Sequence, residues 1–242
     1  SDFQNFEPES FSNIDYDYAE NTLAGYTQIS GKMGKKLSYG TGVRIENNKV
    51  EGKEQNGTSP LVNRSGAVLF PKANLNIELG SIRSLNFNYA KSIVRPNYSR
   101  ASSISTFINP FLEGTGNVNL RPTITEELTA NFQMKNNSLS VGYSRRKYPT
   151  FFTISYEGED DHAILAMRNL DEETGFDISL AVPITKGIWT ANNFAMLSSK
   201  KVKDGSATVQ DSKPFLYVYT DHQFKVGKNT TLSFGGFAIS KS

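Results

Sequence analysis

Residues 128–143 read Leu128-Thr-Ala-Asn-Phe-Gln-Met-Lys-Asn-Asn-Ser-Leu-Ser-Val-Gly-Tyr143. Leu128, Ala130, Phe132 and Met134 share one parity, and Thr129, Asn131 and Gln133 share the other. Asn136-Asn137 offers a tight turn, after which Leu139, Val141 and Tyr143 restart the alternation. Side chains alternate across a strand, so each set belongs to one face of a sheet. Two such runs around a short turn predict an antiparallel hairpin. No stripe with a period of 3.6 residues competes with it.

The same pattern extends in both directions. Upstream, Ala73, Leu75, Ile77 and Leu79 alternate with Asn74, Asn76 and Glu78, and Leu85, Phe87 and Tyr89 with Asn86 and Asn88. Downstream, Phe176, Ile178, Leu180 and Val182 alternate with Asp177, Ser179 and Ala181. Further strands are predicted over 14–29, 37–46, 163–170, 189–197 and 232–239, and from Phe215 through Tyr219. The strand begun at Leu139 is predicted to break at 145–149 and resume through Phe152, Ile154 and Tyr156. The fold class is all-β, an antiparallel meander of about eleven strands. Short turns fall near 32, 82, 136, 172 and 228, with another at 183–187. Long polar loops fall at 49–60, near 108 and at 198–213, and an intermediate one near 159. Short turns at one end and longer loops at the other is the layout of a transmembrane β-barrel. A soluble β-sandwich or β-barrel, acting as a binding module at the cell surface, also has unequal loops. The Asn, Thr, Ser and Gln faces suit a wet lumen better than a packed core.

Composition narrows the function. Apolar residues make up 37% of the 242, yet aromatics reach 12%, which suits a sheet whose two faces meet different solvents. The 26 basic and 24 acidic residues leave +2 with no basic stripe, so nucleic acid is not a partner. There are no cysteines to form disulfides or thiolate metal sites. No run of about 18 apolar residues provides a transmembrane helix, a test that does not bear on transmembrane strands.

The largest interruption of the pattern is bracketed by Arg95-Pro96 and Arg121-Pro122. Proline lacks a backbone donor and keeps its predecessor extended, so each pair interrupts regular pairing. The loop at 97–119 is rich in Ser, Asn, Gly and Thr and is expected to pack poorly relative to the strands. Its aromatics Tyr98, Phe107 and Phe111 are candidates for ligand contact, because loops on a rigid scaffold often carry binding. Packing within the loop is the other reading.

No catalytic chemistry is legible, and the chain is not expected to be an enzyme. His162 and His222 lack the companion spacing of a metal site, and no cofactor is expected. Residues 157–161, Glu-Gly-Glu-Asp-Asp, lack the alternating oxygen spacing of a calcium loop. Arg145, Arg146 and Lys147 are either a polar strand end or an attraction for lipid phosphates. Two aromatic clusters, Tyr148, Phe151 and Phe152, and Phe215, Tyr217 and Tyr219, fit either an interfacial girdle or a core.

Six stretches add a family resemblance. They are 16–20, Tyr-Asp-Tyr-Ala-Glu, followed by Ala24-Gly-Tyr26; 42–46, Gly-Val-Arg-Ile-Glu; 69–72, Leu-Phe-Pro-Lys; 93–96, Ile-Val-Arg-Pro; 109–111, Asn-Pro-Phe; and 116–122, Gly-Asn-Val-Asn-Leu-Arg-Pro. In this order they resemble the C-terminal barrel region of TonB-dependent receptor-like proteins of Bacteroidota, with Val118 where the family usually has Pro. The resemblance implies a barrel in the cell outer membrane, in contact with outer membrane lipid, that takes up a nutrient ligand. It also implies a plug, a carboxypeptidase-like domain and about twice as many strands. Residues 1–242 are therefore expected to be a partial barrel region, meeting TonB only through parts of a parent protein outside this chain. The ending Ser240-Lys-Ser242, without a terminal aromatic, fits that expectation.

Overall fold

A computed structural model describes residues 16–54, 61–156, 163–205, 207–211 and 213–240. Ten long strands follow one another as an antiparallel meander: β1 (Tyr16–Met33), β2 (Leu37–Glu54), β3 (Val62–Gly80), β4 (Arg83–Val94), β7 (Thr123–Met134), β8 (Asn137–Lys147), β11 (Glu172–Lys186), β12 (Trp189–Asp204), β14 (Phe215–Lys225) and β15 (Thr231–Ile239). The short β13 (Ala207–Asp211) folds back on β12 and completes an eleven-stranded sheet. A second sheet, ordered β5-β6-β10-β9, is built from β5 (Ser105–Asn109), β6 (Leu112–Thr115), β9 (Thr150–Tyr156) and β10 (Ala163–Asn169). No helix occurs among the described residues.

Register turns the alternation of single strands into a surface. The cross-strand row Met33–Leu37–Ile77–Leu85–Phe132–Leu139–Leu180–Ala195–Val218–Ala238 is apolar in all ten strands. The next row, on the opposite face, reads Lys32–Ser38–Asn76–Asn86–Asn131–Ser140–Ser179 and then changes to Met196–Tyr217–Ile239. Slipping any strand by one residue would move a leucine or phenylalanine onto the polar face, so this pattern pins the register. The apolar face stays open: Leu139, Leu180 and Leu216 are each more than a third exposed.

The connections segregate by end. Residues 34–36, 81–82, 135–136, 187–188 and 226–230 close hairpins at one end. The connections 95–122 and 148–171 leave from the other end and contain the whole second sheet. At one of the two-residue turns Lys135 takes φ 54°, the left-handed value that a two-residue hairpin favours at its first position. The turn is thus Lys135-Asn136, one residue earlier than Asn136-Asn137.

Several expected boundaries are corrected. Residues 49–54 are strand, not loop, and continue β2 in register with β1 from Lys49↔Asn21 to Glu54↔Tyr16. Residues 198–204 likewise extend β12, and part of the remaining loop is β13. The turn expected near 172 is the start of β11, and that strand runs through 183–186 to a turn at 187–188. In 49–54 and 198–204 one face is buried, at Val50, Gly52 and Val202, but the surrounding Lys, Glu, Asp and Ser leave it almost unmarked in sequence, so the period of two fades while the backbone ladder continues. Pro183 is tolerated because β11 pairs with β8 only as far as Ala181, leaving its missing donor without a ladder to break. Residues 150–156 do not resume β8. Tyr148, at φ 56°, turns the chain out of the main sheet and into the second one.

Candidate functional site at the long-loop end

Two connections that are distant in sequence fold together here. β6 and β10 pair in parallel from Leu112↔Ala163 to Thr115↔Ala166, and β5 and β9 flank them as antiparallel edges. The Ala163 N–H donates to the Phe111 carbonyl at 2.8 Å, and the Asn117 side-chain amide donates to the Met167 carbonyl at 3.0 Å. Asn169 closes the base. Its Nδ2 donates to the carbonyls of Arg121 (3.0 Å) and Tyr148 (2.8 Å), and its Oδ1 accepts the Arg121 N–H at 2.7 Å. The Arg121 guanidinium lies over the Tyr148 ring at 5.0 Å. The expectation of poor packing over 97–119 is therefore overturned in part. Ala101 and Ser102 are buried, as is Leu120 just beyond, because β10, supplied by the other connection, gives this loop a partner.

Below this sheet, on the polar face, lies a charge cluster assembled from three of the six quoted stretches. Glu46 is buried on β2; Arg44 Nε is 2.7 Å from its Oε1 and Arg95 Nη2 is 2.5 Å from its Oε2. Arg95 Nε also lies 2.9 Å from Glu20 Oε1 on β1, an ionic contact in which the N–H does not point at the oxygen. The Asn48 amide donates to the same Glu20 oxygen, Oε1, and the Tyr18 hydroxyl donates to the other, Oε2. Burial, and then the neighbouring Glu20, push the Tyr18 phenol up to about 12, so it stays a donor. Two cations and two carboxylates balance, which is the condition for holding Glu46 away from water.

The geometry also explains how Arg95 reaches β2. Pairing between β3 and β4 runs only from Gly80↔Arg83 to Lys72↔Ala90, whereas β3 stays paired with β2 up to Val62. The parting comes next to Pro71, which has no N–H to continue the ladder while its pairing with Val43 of β2 persists. A cavity of about 390 Å³ opens between the separated strands, with Gly66 and Val68 on one wall, Ile93 and Ile124 on the other, and Leu120 and Pro122 above. Thus the Phe-Pro, Arg-Pro and Leu-Arg-Pro stretches, spread over more than fifty residues, build one slot.

The three candidate loop aromatics are all exposed: Tyr98 at 65%, Phe107 at 53% and Phe111 at 68%. Tyr98 lines a hollow with Tyr16, Tyr18 and Pro96, while Phe107 lies on β5 and Phe111 in the turn that follows. They share the long-loop end but not one wall. Arg145, Arg146 and Lys147 prove different from one another: Arg145 pairs with Glu172 and Arg146 with Glu173 across β8 and β11. Phe215, Tyr217 and Tyr219 lie on the face of Asp221 and Gln223, where Tyr217 stacks on Phe237. The girdle-like cluster is instead Trp189, His222, Phe224 and Phe234 on the apolar face near the short-turn end, with neighbouring rings 5.2–6.3 Å apart. Its members are up to 45 residues apart, so only register reveals it. His162 and the acidic stretch 157–161 lie outside the described residues.

Comparison with known proteins agrees with this architecture. The profile of the Outer membrane protein beta-barrel family matches residues 1–242. Among solved structures, the copper transporter OprC superposes with a TM-score of 0.59 at 14% identity, over 92% of this chain and 39% of that one. The FrpB iron transporter from Neisseria meningitidis gives 0.59 at 10% identity, over 93% and 34%. The ferric-catecholate import receptor Fiu from K12 E. coli gives 0.53 at 16%, over 91% and 34%. The chain therefore spans between a third and two fifths of the length of these structures. At such identities the likeness is one of fold. No curated protein matches the sequence.

Proposed function

Because the chain belongs to the outer membrane protein beta-barrel family, and so resides in the cell outer membrane, we propose that it forms part of the wall of a TonB-dependent receptor that imports a nutrient. The observation that carries this reading is the asymmetry of the two ends. Five tight hairpins close one end, while two long connections at the other carry a separate sheet and leave Tyr98, before that sheet, and Phe107 and Phe111, within it, exposed to solvent. A pore with no ligand to recognise has no need of such a superstructure. A receptor needs residues fixed above its lumen, and a loop sheet clasped by Asn169 fixes them. The fold likeness to copper, iron and ferric-catecholate transport proteins supports the same class, without indicating which nutrient is taken up. In this reading the parent is of the Bacteroidota type that the six stretches resemble. Contact with TonB is made by parts of the parent other than this wall.

The test is uptake by cells carrying the full-length parent. Deleting its gene should abolish growth on at least one limiting nutrient from a panel of metal chelates, peptides and glycans, and an uncoupler of the proton gradient should mimic the deletion. Replacing Tyr98, Phe107 and Phe111 together with Ala should raise the nutrient concentration needed for half-maximal uptake while surface expression stays normal. Uptake that is indifferent to the uncoupler would remove the TonB-dependent reading. Uptake indifferent to the triple variant would remove the three aromatics from the site.

A further inference from the structure

We propose that the slot between β3 and β4 binds an acidic lipid of the outer leaflet, its acyl portion between the separated strands and its anionic headgroup on Arg64 and Arg121. This inference rests on residence in the outer membrane and not on transport.

Depth is the first argument. On the apolar face the cross-strand pairs of β4 and β7 climb from Leu85↔Phe132 through Phe87↔Ala130 to Tyr89↔Leu128, and the next pair is Lys91↔Glu126, an ion pair at 3.8 Å. A charge pair ends the apolar band, since charges are tolerated towards the interface and not at the midplane. The pair above it is Ile93↔Ile124, which lines the slot. The slot therefore opens at headgroup level, on the long-loop side.

Access is the second. Ile93 and Ile124 have the parity of Tyr89 and Leu128, which belongs to the apolar face, whereas Arg64, Gly66 and Val68 have the parity of Phe70 on the other. The cavity lies where the ladder has parted and is lined from both parities: Tyr18, Glu20, Asn48 and Val50 join it from the polar face, with Glu20 already paired to Arg95, and Ile93 and Ile124 join it from the apolar parity that meets the membrane. Charge is the third. Arg95, at the slot's edge, is committed to Glu46 and Glu20. Arg64 and Arg121 line the same cavity and have no carboxylate partner among the described residues. Two guanidiniums without a carboxylate partner at a largely apolar slot, that of Arg121 lying over the Tyr148 ring with its donor edges still available, match a phosphorylated amphiphile, because guanidinium binds phosphate through paired donors.

The experiment uses the full-length parent in nanodiscs of phosphatidylcholine doped with phosphatidylglycerol or lipopolysaccharide, with retained lipid counted by native mass spectrometry. Wild type should keep acidic lipid. The R64Q/R121Q variant should lose it by about tenfold or more, the scale expected for charge-assisted hydrogen bonds. Val68→Trp, which fills the slot and keeps both arginines, should lose it as well. Gly66→Leu is the second slot-filling variant, since its Cβ enters open space. Arg83→Gln, at the short-turn end of β4, should retain the lipid, and heat-dependent gel mobility should show that every variant is folded. Equal retention in all variants, or equal loss including Arg83→Gln, overturns the site. Displacement by inorganic phosphate together with indifference to Val68→Trp would assign the arginines to free anions and overturn the lipid.

Discussion

Replacing Leu180 with arginine tests which face meets lipid. Leu180 lies in β11, flanked on the same face by Leu139 of β8 and Ala195 of β12, with no charged side chain in its cross-strand row. It is six residues from Lys186 at the short-turn end of its strand. At about 3.3 Å per residue and a tilt of roughly 40°, it stands about 15 Å above that end, close to the middle of an apolar band about 25 Å tall. A lipid-facing arginine at the midplane costs about 2–4 kcal/mol, falling to about 0–1 kcal/mol at the interfaces. Leu180→Arg should therefore cost about 2–4 kcal/mol. Ser179→Arg, on the opposite face between Ser140 and Met196, should cost less than about 1 kcal/mol. The assay is folding of the full-length parent into lipid vesicles, followed by denaturant titration of each variant. Depth supplies an internal control: Ile184→Arg, two residues from Lys186 on the same face, should cost less than Leu180→Arg. If Ser179→Arg is the more damaging of the first pair, the apolar row is packed against protein and the membrane assignment of the faces is wrong.

Other expectations follow from individual contacts. Arg95→Met leaves buried Glu46 with Arg44 alone and should destabilise by about 2–4 kcal/mol, while Glu46→Gln combined with Arg95→Met should recover part of that loss in the same titration. Asn169→Ala removes four hydrogen bonds at the base of the loop sheet, with the Arg121 N–H, the Arg121 and Tyr148 carbonyls and the Thr150 hydroxyl. It should cost about 1–3 kcal/mol locally, read as faster hydrogen exchange over β5, β6, β9 and β10 with β7 and β8 unchanged; equal exchange throughout would show that the clasp does not hold the sheet. Lys135→Gly, which relieves a left-handed residue, should stabilise by up to about 1 kcal/mol, and a lower midpoint in denaturant would count against the turn geometry. Gly142→Ala would set a Cβ 2.5 Å from Asp177 Oδ1 and should destabilise by about 1–3 kcal/mol, a cost that Asp177→Ser in the same chain should reduce.

The sequence by itself determined that this chain is a meander of antiparallel strands with one apolar face. Leu128, Ala130, Phe132 and Met134 cannot alternate with Thr129, Asn131 and Gln133 in any other regular structure. It also marked the Arg-Pro pairs and the long connection between them, because proline cannot donate to a ladder and keeps its predecessor extended. It did not show where the strands end. In 49–54 and 198–204 the buried face is marked only by Val50, Gly52 and Val202 among charged and polar residues, so these stretches read as loop although their backbones remain paired. Only tertiary structure decided what lies beside what. The charge cluster joins Glu20, Glu46 and Arg95, which are 26 and 49 residues apart in turn, and the slot adds Leu120 and Arg121 from a fourth segment. The loop sheet pairs β6 with β10 from another connection, and the ring cluster sets Trp189 against His222 and Phe224, and these against Phe234. The period of two is a local property of one strand, whereas these sites depend on register between strands, which is fixed by the summed burial of whole rows.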